Sequence, residues 1–148
     1  MTLSLFRLCL AAAAACLALP AVAQSMSPVG LWQTIDDETK KPKSLIRITE
    51  KGGILSGTIE KLLDPATDQN AKCDKCDDSD PRKGKSILGM TNMTDLKQEG
   101  DVYVGKILDP AKGSIYKSTV RVIDGGKKLE MTGSFLFISR TQTWLRVE

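Results

Sequence analysis

Apolar runs of strand length, each followed by a turn signal, fill the sequence from Gly30 to Val147, and no stretch repeats with a convincing helical period. Residues 24–148 also contain 27 Val, Ile and Thr but only three Ala, a bias that favours pleated strands. We predict about eight strands, over residues 30–35, 44–50, 54–62, 86–90, 101–108, 114–123, 127–137 and 141–147, with an irregular or briefly helical stretch up to residue 98. An all-β domain follows, either an antiparallel barrel or a sandwich.

The positions of glycines favour the barrel. Gly57 and Gly105 lie inside predicted strands, each of which is entered from a glycine and ended by Asp-Pro. Interior glycines weaken strands and often mark the tight bends of barrel corners. The glycine pairs at residues 52–53 and 125–126 are hairpin signals that join neighbouring strands. We therefore expect a closed antiparallel barrel.

The first 23 residues differ from the rest of the chain. They combine Arg7 with an apolar run rich in Ala and Leu and end in Ala21-Val22-Ala23, which is typical of a secretory signal peptide. We expect cleavage after Ala23, and a mature single domain of residues 24–148 that is periplasmic or secreted and has no membrane span. Cys16 leaves a lipoprotein as the less favoured alternative, in which acylation would tether the protein to a membrane.

Composition excludes several classes of function. The sequence contains no histidine, which excludes Ser-His-Asp catalysis, Cys-His catalysis and His-ligated metal sites. No other nucleophile–base pair is recognisable, so we expect neither an enzyme nor a cofactor. The formal net charge is only +3 and no basic run is longer than Lys127-Lys128, which argues against a nucleic-acid partner.

Residues 72–80 are the most chemically loaded segment, with Cys73, Cys76 and four aspartates. In an oxidising compartment the two cysteines are expected to form a disulfide. Such a bridge would stiffen the long polar loop over residues 64–86 without holding up the fold. A redox pair is an alternative, but no βαβ pattern surrounds it. A metal site is another, but zinc would need further ligands and the aspartate spacing misses the calcium-loop pattern, so we expect no metal.

Two further segments are candidates for a role at a site. Asp109, Pro110 and Gly113 fit a turn with Pro at its first central position and Gly where φ is positive. After this turn, Tyr116 and Ser118 share one face of a strand. If that face points inward, their hydroxyls would be polar anchors in an apolar lumen. The alternative is that Tyr116 bonds the neighbouring loop and only fixes the corner.

At this point the sequence is similar to a known family. Gly30-Leu31-Trp32, with Arg146 on the last strand, resembles the Gly-x-Trp signature of the lipocalin superfamily. With Asp109-Pro110-x-x-Gly113-x-x-Tyr116 and the ending Thr141-Gln142-Thr143-Trp144-Leu145-Arg146, residues 28–148 resemble the bacterial DUF2147 family. The resemblance implies a small, exported, lipocalin-like up-and-down barrel of uncharacterised function. It also implies that Trp32 packs under the Arg146 guanidinium at the closed end of the barrel. For Trp144, which shares a strand face with Arg146, we expect packing against that guanidinium and a structural role.

Two classes of function follow. In the first, the protein is an exported binding module whose barrel, gated by the 64–86 loop, holds a small apolar molecule. In the second, it is a structural or interaction protein of the cell envelope, with a filled core and the charged loop as the surface that contacts another envelope protein.

Overall fold

The computed structural model describes residues 26–148, so the predicted signal peptide, its cleavage site and Cys16 lie outside the described residues. Eight antiparallel strands form one closed barrel. They are β1 (Gly30–Ile35), β2 (Pro42–Lys51), β3 (Ile54–Leu62), β4 (Thr91–Glu99), β5 (Val102–Asp109), β6 (Ser114–Ile123), β7 (Lys128–Phe135) and β8 (Ile138–Arg146). Between residues 26 and 148, no helix has the length and apolar character needed to cross a membrane.

The strands follow one another around the barrel in sequence order. Each strand pairs with the strands before and after it, and the barrel closes where Trp32 and Gln33 of β1 lie opposite Arg146 and Leu145 of β8. This is an up-and-down meander closed by its first and last strands. The predicted all-β, lipocalin-like barrel of about eight strands is confirmed, and the sandwich alternative is wrong.

The fourth strand lies further along the chain than the sequence predicts. The strand expected over residues 86–90 is wrong, because this segment ends a loop in which Ser86 forms an isolated bridge to Lys72. The stretch expected to be irregular or briefly helical is β4 itself. A bulge explains the error. Met93 and Leu96 are both buried in the core although they are three residues apart, because Asp95 between them has a φ of 58° and interrupts the alternation.

The interior glycines of β3 and β5 flank this bulge. Gly57 lies opposite Met93, and a Cβ built on it would lie 2.9 Å from the Met93 sulfur. A Cβ built on Gly105 would lie 2.5 Å from the Thr94 carbonyl oxygen. Both are therefore positions where β4 approaches too closely for a side chain, which accounts for glycine inside each strand.

Inward-facing side chains fill the barrel with a single cluster. Its buried members are Trp32, Ile46, Ile48, Leu55, Ile59, Met93, Leu96, Ile107, Val120, Val122, Leu129, Met131 and Trp144. The two tryptophans are among the largest fully buried side chains. The chain's own side chains thus occupy the interior that an eight-stranded barrel encloses.

The connection between β3 and β4, residues 63–90, packs against the outside of the barrel. Cys73 and Cys76 form the predicted disulfide, and both are buried in a second small cluster with Met90 and Leu108. Leu108 follows the inward-facing Ile107 on β5 and therefore points outward, under the bridge. The disulfide is part of a packed core on the outer wall and is not an exposed stiffener of a loop tip.

The turn between β5 and β6 meets this cluster. Gly113 has a φ of 72° and its N–H donates to the Asp109 carbonyl oxygen over 2.7 Å, as expected for the turn predicted there. A Cβ on Gly113 would run into the carbonyl of Lys75, and the Cys73 sulfur lies 3.4 Å from the Pro110 carbonyl oxygen. The Asp-Pro-x-x-Gly turn thus packs directly against the disulfide segment.

Candidate functional site

One end of the barrel is sealed. The Arg146 guanidinium lies 4.2 Å from the centroid of the Trp32 ring, which confirms the contact implied by the family resemblance. Arg146 also donates to the carbonyl oxygens of Gly126, Val29 and Ser27, and burial lowers its pKa. Gly30 is required here, because its φ is 141° and a Cβ would meet the Glu148 carbonyl oxygen. These contacts join the first and last strands to the residues that precede β1 and the turn after β6, and they close the barrel at this end.

The opposite end carries four connections, and we call it the open end of the barrel to distinguish it from the end that Arg146 closes. These connections are residues 36–41, 63–90, 110–113 and 136–137. The inward-facing residues just below them form the candidate site, which we call the mouth. The mouth contains both sequence candidates, Tyr116 and Ser118.

Ser118 forms the base of the mouth. It is fully buried, and its Oγ has no hydrogen-bond partner among the described residues. Its neighbours across the two flanking strands are Gly105 and Gly133, so no side chain on either side reaches toward its hydroxyl. By contrast, the buried hydroxyls of Thr34 and Ser44 in the same barrel are 2.7 Å apart and satisfy each other. An orphan buried hydroxyl is rare enough in proteins to require an explanation.

An aromatic pair lies above Ser118. Tyr116 is half-buried and packs on the barrel core, and its ring meets that of Phe135 edge to face, with centroids 6.4 Å apart. Tyr116 lies beside Gly133, and a Cβ built on this glycine would be in ordinary van der Waals contact with the Tyr116 Cβ, at 3.7 Å. Within residues 26–148 the Tyr116 hydroxyl makes no hydrogen bond to the neighbouring loop, and the contact of this residue with the β7–β8 hairpin is through its ring.

The other side of the mouth is polar. Asp37 accepts hydrogen bonds from Gln142 Nε2 over 2.8 Å and from Arg140 over 3.3 Å. Gln142 Oε1 in turn accepts from the Trp144 indole N–H over 3.1 Å. The Trp144 indole is therefore held by a hydrogen bond to Gln142, a residue of the mouth. The Arg146 guanidinium stacks on the other tryptophan, Trp32. This chain of bonds ties the 36–41 connection to β8 where the pairing of β8 with β1 has ended.

The long connection contributes to the mouth only at its end. Ile87 packs against the barrel core, but the disulfide segment lies on the outer wall of β5. The second half of this connection is fixed by Arg82, which donates to Asp80 over 2.7 and 2.9 Å and to the Thr91 carbonyl oxygen over 3.4 Å. These hydrogen bonds lower the pKa of Asp80 to about 2. The 64–86 loop, which the sequence suggests as a lid, is therefore held by hydrogen bonds and packs on the outside of the barrel. It does not cover the mouth.

Two surface cavities lie outside the mouth. One, of about 660 Å³, runs along the end of the long connection past Arg82, Leu88 and Asp95. The other, of about 450 Å³, lies near the closed end between Met26, Tyr103 and Arg121. Neither is lined by Tyr116 or Ser118. Among residues 26–148, no three His, Cys, Asp or Glu side chains are grouped so as to hold a metal ion.

Sequence reasoning missed one feature of the open end. The apolar run Phe135-Leu136-Phe137-Ile138 was assigned to the end of one strand and the gap that follows, but the chain turns in its middle, at Leu136 and Phe137. No Gly, Asn, Asp or Pro marks this turn. The structure fixes the turn through strand pairing, in which Thr132 lies opposite Thr141 with their hydroxyls 2.7 Å apart.

Comparison with known proteins agrees with this architecture. A family model described as an uncharacterized protein conserved in bacteria (DUF2147) matches residues 30–146. Protein HP1028 from the human pathogen Helicobacter pylori, described as belonging to the lipocalin family, has a similar structure, with a TM-score of 0.70 and 22% sequence identity over 84% of this chain and 85% of that one. At this identity the likeness shows the fold alone. No curated protein matches the sequence.

Proposed function

The chain belongs to the bacterial DUF2147 family, and with its lipocalin-like barrel as the premise we propose that it is an exported protein that binds a small apolar molecule. The ligand occupies the mouth, above the filled interior, and is only partly enclosed. Export enters the proposal from the sequence of residues 1–23. The intact mass of the protein from its own host tests it, with a chain starting at Gln24 as the expected result and an acylated Cys16 as the result that contradicts it.

The observation that carries the proposal is the orphan hydroxyl of Ser118 beneath the Tyr116–Phe135 pair. A buried hydroxyl without a partner costs about 1–3 kcal/mol, which a ligand's polar group would recover. The two rings, which meet edge to face, offer apolar surface above it. Binding sites of this kind combine apolar walls with a few placed polar groups, so an apolar body with one polar group fits the mouth.

The polar side of the mouth supports an orientation for the ligand. Asp37, Gln142 and Arg140 are already bonded to one another and fix the rim without offering an unpaired charge. An apolar ligand is therefore expected to lie against the aromatic side, with its polar group directed down to Ser118. Preorganised rim residues also reduce the entropy lost on binding.

Binding of the fluorescent apolar probe N-phenyl-1-naphthylamine to residues 24–148 tests the proposal. We expect saturable binding that Tyr116→Ala abolishes and that Ser118→Ala weakens by about 3- to 10-fold, the value of one hydrogen bond. Thr119→Ala, on the same strand but facing outward, is the matched control and should bind as the wild type does. Unchanged binding in Tyr116→Ala contradicts the proposal.

A second candidate function is an interaction protein of the cell envelope that holds no ligand. It is favoured by the cluster of buried side chains that fills the barrel interior. Native mass spectrometry of the protein purified from its own host distinguishes the two. A bound lipid-like mass supports the binding protein, and a bound partner protein with an empty mouth supports the second candidate.

A further inference from the structure

The end of the β7–β8 hairpin carries four adjacent apolar side chains that are mostly exposed, although one of them, Phe135, contacts Tyr116 on one side. Phe135, Leu136, Phe137 and Ile138 are 57%, 82%, 103% and 77% exposed. We call this segment the hairpin tip. It projects from the open end beyond Ser134 and Ser139, the pair at its base. Contiguous exposed apolar surface in a soluble protein usually marks a site of interaction.

The backbone of the hairpin tip indicates that its side chains are not there for folding. Phe135 and Ile138 pair with each other, so Leu136 and Phe137 form a two-residue turn. Such turns favour Asn-Gly or Gly at positions of positive φ, but here Leu136 has a φ of 53°. A left-handed conformation is unfavourable for leucine, because it brings the Cβ too close to the following carbonyl oxygen. Leu136 therefore carries both a conformational cost and a solvation cost that Asn would avoid.

A cation and a further apolar side chain lie beside the hairpin tip. Lys117 is exposed and lies opposite Ser134 on the neighbouring strand. Ile115, two residues before it on the same outer face, is 43% exposed and adds to the apolar surface. The Asp37 carboxylate near this end is already paired with Arg140. A cation beside an apolar protrusion suits a surface of anionic lipid headgroups over acyl chains.

We propose that the hairpin tip is a membrane-docking element, which inserts into the boundary between the headgroups and acyl chains of a bilayer containing anionic lipid. In this position the mouth of the barrel faces the membrane surface. The backbone pairing of Phe135 with Ile138 leaves few unsatisfied polar groups to carry into that layer. The proposal does not depend on the mouth binding a ligand.

The size and shape of the hairpin tip favour a bilayer over a second protein. At the ~200 Å² that a large apolar side chain can bury, the exposed fractions of the four residues amount to roughly 600 Å², less than the ~800 Å² per partner of a stable interface. The tip is also a narrow projection. A fluid bilayer accepts a projection of this shape, whereas two copies of it would not form a complementary surface.

Flotation of residues 24–148 with vesicles tests the proposal. The vesicles are phosphatidylcholine with 30 mol% phosphatidylglycerol, a composition chosen for the experiment. We expect the wild type to float, and Leu136→Asn/Phe137→Gly to lose at least tenfold in vesicle affinity while keeping its unfolding temperature, because Asn tolerates the positive φ of residue 136 and Gly accepts any φ at residue 137. Leu88→Asn, which removes an exposed apolar side chain elsewhere, is the matched control and should float as the wild type does.

Three further measurements make the test decisive. Lys117→Glu should weaken flotation by several-fold at low salt. N-phenyl-1-naphthylamine binding by Leu136→Asn/Phe137→Gly should be retained, which separates the failure of docking from the failure of the mouth to bind a ligand. Equal flotation of this variant and the wild type overturns the proposal, as does absence of wild-type flotation. A wild-type dimer that the variant converts to monomer also overturns it, because the hairpin tip would then be a contact between two copies.

Discussion

Three buried hydroxyls in the barrel differ in their partners. Those of Thr34 and Ser44 lie 2.7 Å apart and satisfy each other, whereas that of Ser118 has no partner within the described residues. The same residue type, equally buried, is therefore stabilising in one place and costly in another. At this scale the sequence reveals which hydroxyls face inward, but not which of them meet.

Ser118→Ala is expected to raise the stability of the ligand-free protein. The substitution removes a buried hydroxyl without a partner, and the expected gain is about 1 kcal/mol, or roughly 4 °C in unfolding temperature. Ser44→Ala, which breaks the satisfied pair, is the control and should lower the stability by about 1–2 kcal/mol. Thermal unfolding monitored by circular dichroism measures both. A loss of stability in Ser118→Ala would mean that its hydroxyl has a structural partner.

The Trp32–Arg146 contact is expected to be the most sensitive point of the closed end. Trp32 is fully buried, so Trp32→Ala should cost about 3–5 kcal/mol. Arg146→Lys keeps the charge but loses the planar group that stacks on the ring and reaches three carbonyl oxygens, and should cost about 1–3 kcal/mol. Urea denaturation measures both. Equal stability of the wild type and Arg146→Lys would show that charge alone suffices there.

At the scale of elements, the sequence predicts seven of the eight strands within a few residues because their apolar alternation is regular. The prediction of β4 is wrong for a physical reason. Its bulge at Asp95 places Met93 and Leu96 on the same face, so that a strand shows a spacing of three residues, and Asn92 is buried although it is polar. The predicted end of β7 is wrong because the turn that follows this strand contains no Gly, Asn, Asp or Pro.

The disulfide is expected to matter more than a loop stiffener would. Cys73→Ala/Cys76→Ala should cost about 2 kcal/mol through the lost ring closure. Cys73→Ser/Cys76→Ser should cost a further ~1–3 kcal/mol, because two hydroxyls would replace buried sulfurs beside Leu108 and Met90. Comparison of the unfolding temperatures of the two double variants separates these effects. If both match the wild type, the cluster on the outer wall does not contribute to the stability of the barrel.

The Asp80–Arg82 pair predicts a pH dependence for the long connection. The pKa of Asp80 is about 2 in the folded protein, below the ~3.9 of an unfolded chain. A lowered carboxylate pKa stabilises the fold fully above pH ~4, and this stabilisation is lost as the pH falls toward 2. Asp80→Asn should therefore be about 1–2 kcal/mol less stable than the wild type at pH 7, and the difference should shrink between pH 4 and 2.

Asp74→Asn, in an exposed part of the same connection, is the matched control for this pH series. It should follow the wild-type curve at every pH. A difference between the wild type and Asp80→Asn that stays constant from pH 7 to pH 2 would show that the effect of Asp80 does not arise from its charge.

At the scale of the whole molecule, the two ends of the barrel have different roles. The closed end, which the Gly-x-Trp signature predicts, holds the fold together. The open end collects the long connection, the mouth and the hairpin tip. Regular alternation on β6 places Tyr116 and Ser118 on one face of the strand, but the sequence leaves open whether that face points inward. Phe135, Gln142 and Asp37 come from other elements. Their convergence depends on barrel closure and on the position of the β7–β8 turn, neither of which is local in sequence.

Whether the barrel is a filled support or a container is decided by how tightly its interior packs. Met93 is fully buried at the centre of the core, beside Gly57. In a filled barrel, Met93→Ala removes contacts that nothing replaces, and the stability should fall by about 2–4 kcal/mol. Met26→Ala, at a methionine that is 59% exposed, is the matched control and should change the stability by less than ~0.5 kcal/mol. Met93→Ala should also acquire affinity for benzene, because an apolar cavity of this kind stays dry and accepts small apolar molecules. Equal stability of Met93→Ala and the wild type would mean that the interior is loose enough to admit a ligand, and the binding site would then extend from the mouth down into the barrel.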